Sequence, residues 1–300
     1  MTTCASASRN RAEPLAATAA TARTWLLLEQ PGPWGTDALH ASHLDRDTAR
    51  TLTAAVEGTD VRVALIRRPG RHADRTPRPP RRVYLAHTLP GASWVRTWLT
   101  DTPETLSALD FAALGRGEHG GTGEPYRGDP LALVCTNGRR DRCCALLGRP
   151  LAEELAASGD ANTWEITHIG GHRFSPTLLV LPYGYAYGRA DAPALKGVLG
   201  AVRRGRVVTE RCRGRSAWGR AGQAAELAVR ELTGEEDADA LTLDEPPADA
   251  SRWALVVRHR DGRSWRVDGV TEPGPAVPAS CGAAPGPQPR AQAVAVTAAD

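Results

Sequence analysis

The stretch from Leu131 to His172 constrains the fold of this chain more than any other. It opens with Leu131-Ala132-Leu133-Val134-Cys135, an uninterrupted apolar run of the kind that forms a strand covered on both faces. Pro150 suits the first turn of a following helix, Leu147, Leu151 and Leu155 recur every four residues along one face, and Ser158-Gly159 supplies a stop. Thr163–Thr167 then alternates as a strand does. Strand, helix and strand within this length make one βαβ crossover, which predicts two parallel strands with their carboxyl ends on the same edge. Cys135 ends the first strand, and His168 directly follows the second.

That edge is where open α/β sheets assemble their sites, because loops leaving the strands converge there. Here it carries Cys135-Thr-Asn-Gly-Arg-Arg-Asp-Arg-Cys143-Cys144 and His168-Ile-Gly-Gly-His172. Gly170-Gly171 disfavours a helix between the histidines but lets a tight loop aim both imidazoles at one ion. Thiolate with imidazole suits zinc, copper or an iron–sulfur cluster and suits magnesium or calcium poorly. Structural zinc sites usually pair cysteines two to four residues apart. In this chain seven residues separate Cys135 from Cys143 and eight separate it from Cys144. A two-iron cluster is wider than one ion and tolerates such a loop. Spacing alone leaves zinc and [2Fe-2S] both open. A thiol-disulfide centre ranks below them, since the C-x-x-C spacing is missing and the histidines would have no role.

The rest of the chain reads as follows. Residues 23–117 form a first α/β lobe: strand Thr24–Leu28, a helix capped by Asp45 and ended by Gly58, strand Val61–Ile66, strands Val83–Ala86 and Trp94–Leu99, and a short helix from Pro103. A glycine-rich linker, Gly117–Gly128, leads to the second lobe at 128–235. Its order β-α-β-β-β-α is thioredoxin-like, with Thr177–Leu181 and Tyr185–Tyr187 as a hairpin and Leu195, Val198, Leu199 and Val202 striping a helix. Ala221–Leu232 is a further helix, and a β-hairpin at 250–270 turns near Asp261-Gly262. Residues 1–22 and 271–300 hold few large side chains and no periodic pattern, and are expected to be disordered ends. The fold class is therefore α/β, a thioredoxin-like lobe preceded by a second α/β lobe, with a C-terminal helix and β-hairpin.

Composition narrows the function. Of 300 residues, 41% are hydrophobic and 24% charged, the profile of a globular protein. Thirty-seven basic side chains meet 34 acidic ones for a formal charge of +3, which gives no general case for nucleic-acid binding. The arginine- and proline-rich segment Arg67–Arg82 reads as a solvated loop, and Arg139, Arg140 and Arg142 as solvated turn residues. No apolar run reaches the length of a membrane span and no export leader is visible, so a soluble, cytoplasmic protein is expected. Six cysteines are too few for a disulfide scaffold in a chain this long. Cys4, Cys212 and Cys281 read as incidental thiols, and His40, His43, His72, His87, His119 and His259 as surface or hydrogen-bonded residues.

Three segments, C-T-N-G-R-R-D-R-C-C, W-E-I-T-H-I-G-G-H-R-F-S-P-T and L-P-Y-G-Y-A-Y-G, together resemble the sucrase/ferredoxin-like family, which belongs with the thioredoxin-like [2Fe-2S] ferredoxins. The similarity spans roughly Trp25 to Leu232 and is most specific over Leu131–Gly188. The resemblance implies a [2Fe-2S] cluster held by two cysteines and two histidines, with H-x3-H replacing the second cysteine pair of ordinary thioredoxin-like ferredoxins. Fungal and plant members read C-x-H-x-x-R-D-x-R-C-G; aligning Arg140-Asp141 puts Cys144 on the second cysteine, with Cys143 as the alternate, and Asn137 in place of their histidine. The implied ligands are thus Cys135, Cys144, His168 and His172. An electron carrier or redox sensor is implied rather than an enzyme, serving a redox partner protein, with proton coupling at the histidine ligands. No pair of carboxylates stands out for glycoside hydrolysis.

Overall fold

The computed structural model describes residues 3–70, 80–159, 162–244 and 250–299. Most of the arginine-rich loop, with His72, and part of the acidic segment before the hairpin lie outside the described residues.

Ten strands join in one mixed sheet. In chain order they are β1 (Thr24–Glu29), β2 (Val61–Arg67), β3 (Arg81–His87), β4 (Trp94–Thr100), β5 (Glu124–Pro125), β6 (Leu131–Cys135), β7 (Asn162–Ile166), β8 (Thr177–Leu181), β9 (Tyr185–Gly188) and β10 (Cys212–Arg215). Their spatial order is β10-β9-β8-β6-β7-β2-β1-β3-β4-β5. The βαβ crossover expected from sequence is present, β6 running parallel to β7 with Cys135 opposite Ile166, and the strand, helix and strand that open the first lobe likewise set β1 parallel to β2. The remaining pairings in this sheet are antiparallel, including the β8–β9 hairpin.

All five residues of β6 are buried, as an unbroken apolar strand requires. Alternate residues serve opposite faces. Ala132 and Val134 pack with Leu178, Val180 and Leu199, while Leu131, Leu133 and Cys135 pack with Leu179, Trp25 and Trp164. The helix after β6, Arg149–Ser158, contributes Leu151 and Leu155 to the first of these faces and ends at Gly159 in the left-handed region.

The two lobes of the sequence reading share this sheet. Each βαβ unit leaves an open strand edge, and those edges meet where Ile66 pairs with Ile166 and Arg67 with Glu165. A buried ion pair, Arg67 Nε to Glu165 Oε2 at 2.7 Å, closes the seam. The glycine-rich stretch between the lobes carries β5, which extends the sheet beyond β4.

Both ends of the chain depart from the expectation of disorder. Residues Cys4–Asn10 form a helix capped by Thr3, whose side chain accepts from the Ser6 amide. Farther on, Thr18 N donates to Arg213 O at 3.0 Å and Ala22 N to Ser216 O at 2.8 Å. At the other end, Pro289–Ala299 is a strand antiparallel to Ser264–Pro273, within a second sheet that also holds Leu241–Leu243 and the other hairpin strand, Arg252–His259. Composition missed these elements for a physical reason. Alanine-rich segments offer few large side chains, but their backbone amides and carbonyls still pair with distant strands and loops.

Candidate metal centre

Every part of the centre follows from how β6 and β7 end. Beyond Cys135 the chain turns tightly: Asn137 Oδ1 accepts from Arg140 N at 3.3 Å, and Asn137 Nδ2 donates to Gly35 O at 3.3 Å. Asn137 is therefore a loop brace. The chain then enters a wide helical turn, Cys144–Gly148, that feeds the longer helix. This turn packs directly on the end of β6, because Gly148 has no side chain to hold it off: a β-carbon there would lie 2.2 Å from Cys135 O. Cys144 Sγ is thereby brought to 3.5 Å from Cys135 Sγ.

The histidine loop leaves β7 through Thr167. Gly170 and Gly171 take left-handed conformations, φ +80° and +69°, and His172 opens a short helical turn ending at Phe174. The two imidazoles face each other with ring centroids 4.8 Å apart. Arg62 Nη2 donates to His168 O at 2.8 Å and Arg213 Nη1 to Gly170 O at 3.1 Å, fixing the loop from both sides. Arg213 also fills the space a side chain at Gly171 would need.

Donor atoms of Cys135, Cys144 and His168 all lie within 4.8 Å of one another. Cys135 and Cys144 are buried, His172 is 8% exposed, and His168 reaches a surface cleft lined by Asp37, Asn137, Arg140 and Thr167. His168 Nδ1 and both ring nitrogens of His172 are buried and lack a hydrogen-bond partner among the described residues. Buried polar nitrogens without partners are costly, and a metal is one way to satisfy them.

The electrostatics favour the ligand form at Cys135 and His172 and oppose it at Cys144. The Cys144 thiol, hydrogen-bonded to Cys135, holds that sulfur well below the usual thiol range despite burial, with His168 adding to the effect; Cys144 is pushed up in turn. Burial lowers His172 toward neutral imidazole, although Asp141 pulls the other way. Asp141 Oδ2 stands 3.5 Å from His172 Nε2. Burial would raise the Asp141 carboxyl, but the amides of Cys281 and Cys143, together with His172, hold it low.

Of the residues singled out in the sequence, Cys135, Cys144 and His168 come together within 4.8 Å, and His172 stands beside His168 without joining that group. Cys143 faces away from Cys135 and lies against Cys4 and Cys281. Cys4 and Cys281, read as incidental thiols in disordered ends, are thus placed in a cluster beside the centre, a correction to that reading. The Cys143-Cys144 doublet was the one local sign that the chain holds a thiol the first centre does not use.

Thiols and imidazoles gathered at the carboxyl ends of adjacent strands define an α/β protein with a candidate metal-binding group. The chain belongs to the sucrase/ferredoxin-like family, whose model matches residues 15–214. It is also similar to the altered inheritance of mitochondria protein 32 of Meyerozyma guilliermondii, 28% identical over 97 residues that make up 29% of this chain and 34% of that protein. The match thus spans about a third of the relative's length. No solved structure is significantly similar. No helix among the described residues is long and apolar enough to cross a membrane.

Proposed function

We propose that Cys135, Cys144, His168 and His172 hold a [2Fe-2S] cluster and that the protein is a one-electron carrier serving a redox partner protein in the cytoplasm. The observation that carries this reading is the pair of buried ring nitrogens, His168 Nδ1 and His172 Nδ1, that have no hydrogen-bond partner among the described residues, beside two thiols 3.5 Å apart. Two thiolates and two imidazoles are four donors, two for each iron. A bound cluster would supply one-electron chemistry, and imidazole in place of thiolate raises its potential.

The chain's own part is to orient and shield. Arg62 and Arg213 hold the histidine loop through its carbonyls, and the buried position of the cysteines keeps water from the sulfur side. His168, at the cleft, is the ligand nearest a docking partner, with Arg140 on the cleft wall to attract an acidic one.

One observation favours a second reading. Three donor atoms within 4.8 Å also suit a single zinc ion. Anaerobic purification separates the two. Iron and sulfide at two each per chain, with visible absorption that bleaches on reduction, supports the cluster; a colourless protein whose metal is lost in Cys135→Ala and is zinc would replace it.

A further inference from the structure

A second group of donors lies on the far side of Asp141. Cys4 opens the N-terminal helix, Cys143 sits in the loop after β6, and Cys281 lies in the turn between the short strands Val277–Pro278 and Pro285–Gly286. Their sulfurs form a triangle: Cys4 to Cys143 is 3.5 Å, Cys143 to Cys281 is 3.2 Å and Cys281 to Cys4 is 3.5 Å. The Asp141 carboxylate caps it, with oxygens 3.6 and 3.7 Å from Cys4 Sγ. All four side chains have donor atoms within 4.8 Å of one another.

Buried cysteine often packs as a small hydrophobe, and Ala5 and Leu147 are apolar neighbours here. Two features argue for more. Apolar packing gives no reason to bury a carboxylate among three thiols, yet Asp141 is 3% exposed and held in place by Cys143 N at 2.8 Å and Cys281 N at 2.8 Å. The triangle also has the right size. Zinc–sulfur bonds of about 2.3 Å in a tetrahedron put the sulfurs about 3.8 Å apart. Disulfide sulfurs stand at about 2.05 Å, well inside the observed separations. A two-iron cluster takes at most two protein thiolates on each iron, so a third thiolate would stand further off than these three do.

We propose that Cys4, Cys143 and Cys281, with Asp141 as the fourth ligand, form a zinc site separate from the Cys135–His172 centre. The site joins three segments far apart in sequence and fastens both ends of the chain to the loop that carries Cys144. Because Asp141 Oδ2 also faces His172 Nε2 at 3.5 Å, an ion on this carboxylate fixes the position of a group that orients His172. Cys4 and Cys281 both lie outside the 15–214 span of the family match.

Elemental analysis of the full chain, purified anaerobically from zinc-containing medium, tests the proposal. One zinc per chain is expected, whatever the iron content. The double variant Cys4→Ser, Cys281→Ser should drop zinc to near zero and keep iron and visible absorption, while Cys135→Ala should lose iron and keep zinc. Zinc absent from the unmodified chain overturns the site. So does zinc that survives the double variant but leaves with Cys135→Ala, which would put the ion in the first centre. A disulfide between any two of the three cysteines, found by non-reducing mass spectrometry of the anaerobic protein, is equally fatal. A readout that needs no variant is iodoacetamide labelling. Partly exposed Cys281 should resist it until a zinc chelator is added, and equal labelling before and after rejects the proposal.

Discussion

Gly148 and Cys135 touch across the end of β6 so closely that a β-carbon on Gly148 would sit 2.2 Å from the Cys135 carbonyl oxygen. Both sides of that contact are backbone, so no rotamer change can relieve it. Gly148→Ala must push the helix off the strand, separating Cys144 from Cys135. A loss of about 1–3 kcal/mol in denaturant unfolding is expected, with loss of bound metal. Gly159→Ala is the control: its φ of +69° is unfavourable for alanine, but nothing lies within 4 Å of the new carbon. It should cost about 1 kcal/mol and leave the metal in place. Equal metal content in the two variants would contradict the packing argument.

The adjacent cysteines should behave as strangers. Cys144 Sγ is 3.5 Å from Cys135 Sγ, whereas Cys143 Sγ is 3.2 Å from Cys281 Sγ. Cys144→Ala is therefore expected to lose iron together with Cys135→Ala, and Cys143→Ala to keep it. Iron analysis and visible absorption of the three variants decide the matter, and a colourless Cys143→Ala protein would reverse the assignment.

Under the helix Arg220–Thr233 lies a buried ion pair, Arg230 Nη2 to Glu226 Oε1 at 3.0 Å, with both side chains fully buried. Tyr185 donates its hydroxyl to the same carboxylate, and Arg230 also donates to carbonyls of Glu235 and Asp237. Removing one charge strands the other without water. Arg230→Ala should cost about 3–5 kcal/mol. Arg230→Met with Glu226→Gln should recover part of that, since no unpaired charge remains. Urea titrations of both test this, and a double variant no more stable than Arg230→Ala would show that the stranded carboxylate is not the source of the loss.

The parts of this molecule legible in sequence are those whose signals are local. The apolar run of β6, the leucines at 151 and 155 and the stop at Gly159 each reflect a neighbour a few residues away, and together they placed Cys135 and His168 on one edge. That Cys144 rather than Cys143 stands beside Cys135 was legible only through resemblance, because the two differ by one position and their divergence depends on the wide turn that starts at Cys144. The joining of the two halves at Ile66 and Ile166, and the return of Cys4 and Cys281 to Cys143, were not legible. Those contacts span about 100 residues or more and are made by backbone pairing and single sulfurs, which leave no periodic trace. Arg213 was passed over for the same reason: its role depends on Gly171, which arrives from a different strand end.

His87 supplies a pH dependence independent of any metal. Its side chain is fully buried, stacked near Trp94, and its Nδ1 lies 2.7 Å from Thr24 Oγ1, which itself donates to Leu114 O at 2.7 Å. Nδ1 therefore carries the proton, and Nε2 has no partner among the described residues. Burial, with Arg23 and Arg215 nearby, pushes the imidazole down to about 4 from an ordinary 6.5. Between those values the unfolded chain binds a proton that the folded chain refuses, so stability is present above pH 6.5 and falls as pH drops toward 4. At about 1.4 kcal/mol per unit the full effect is up to about 3 kcal/mol. His87→Gln removes this titration while leaving the carboxylates unchanged. Urea unfolding from pH 7 to 4.5 should show the unmodified protein losing about 2–3 kcal/mol more than the variant, and parallel losses in the two would mean that His87 is protonated in the folded state.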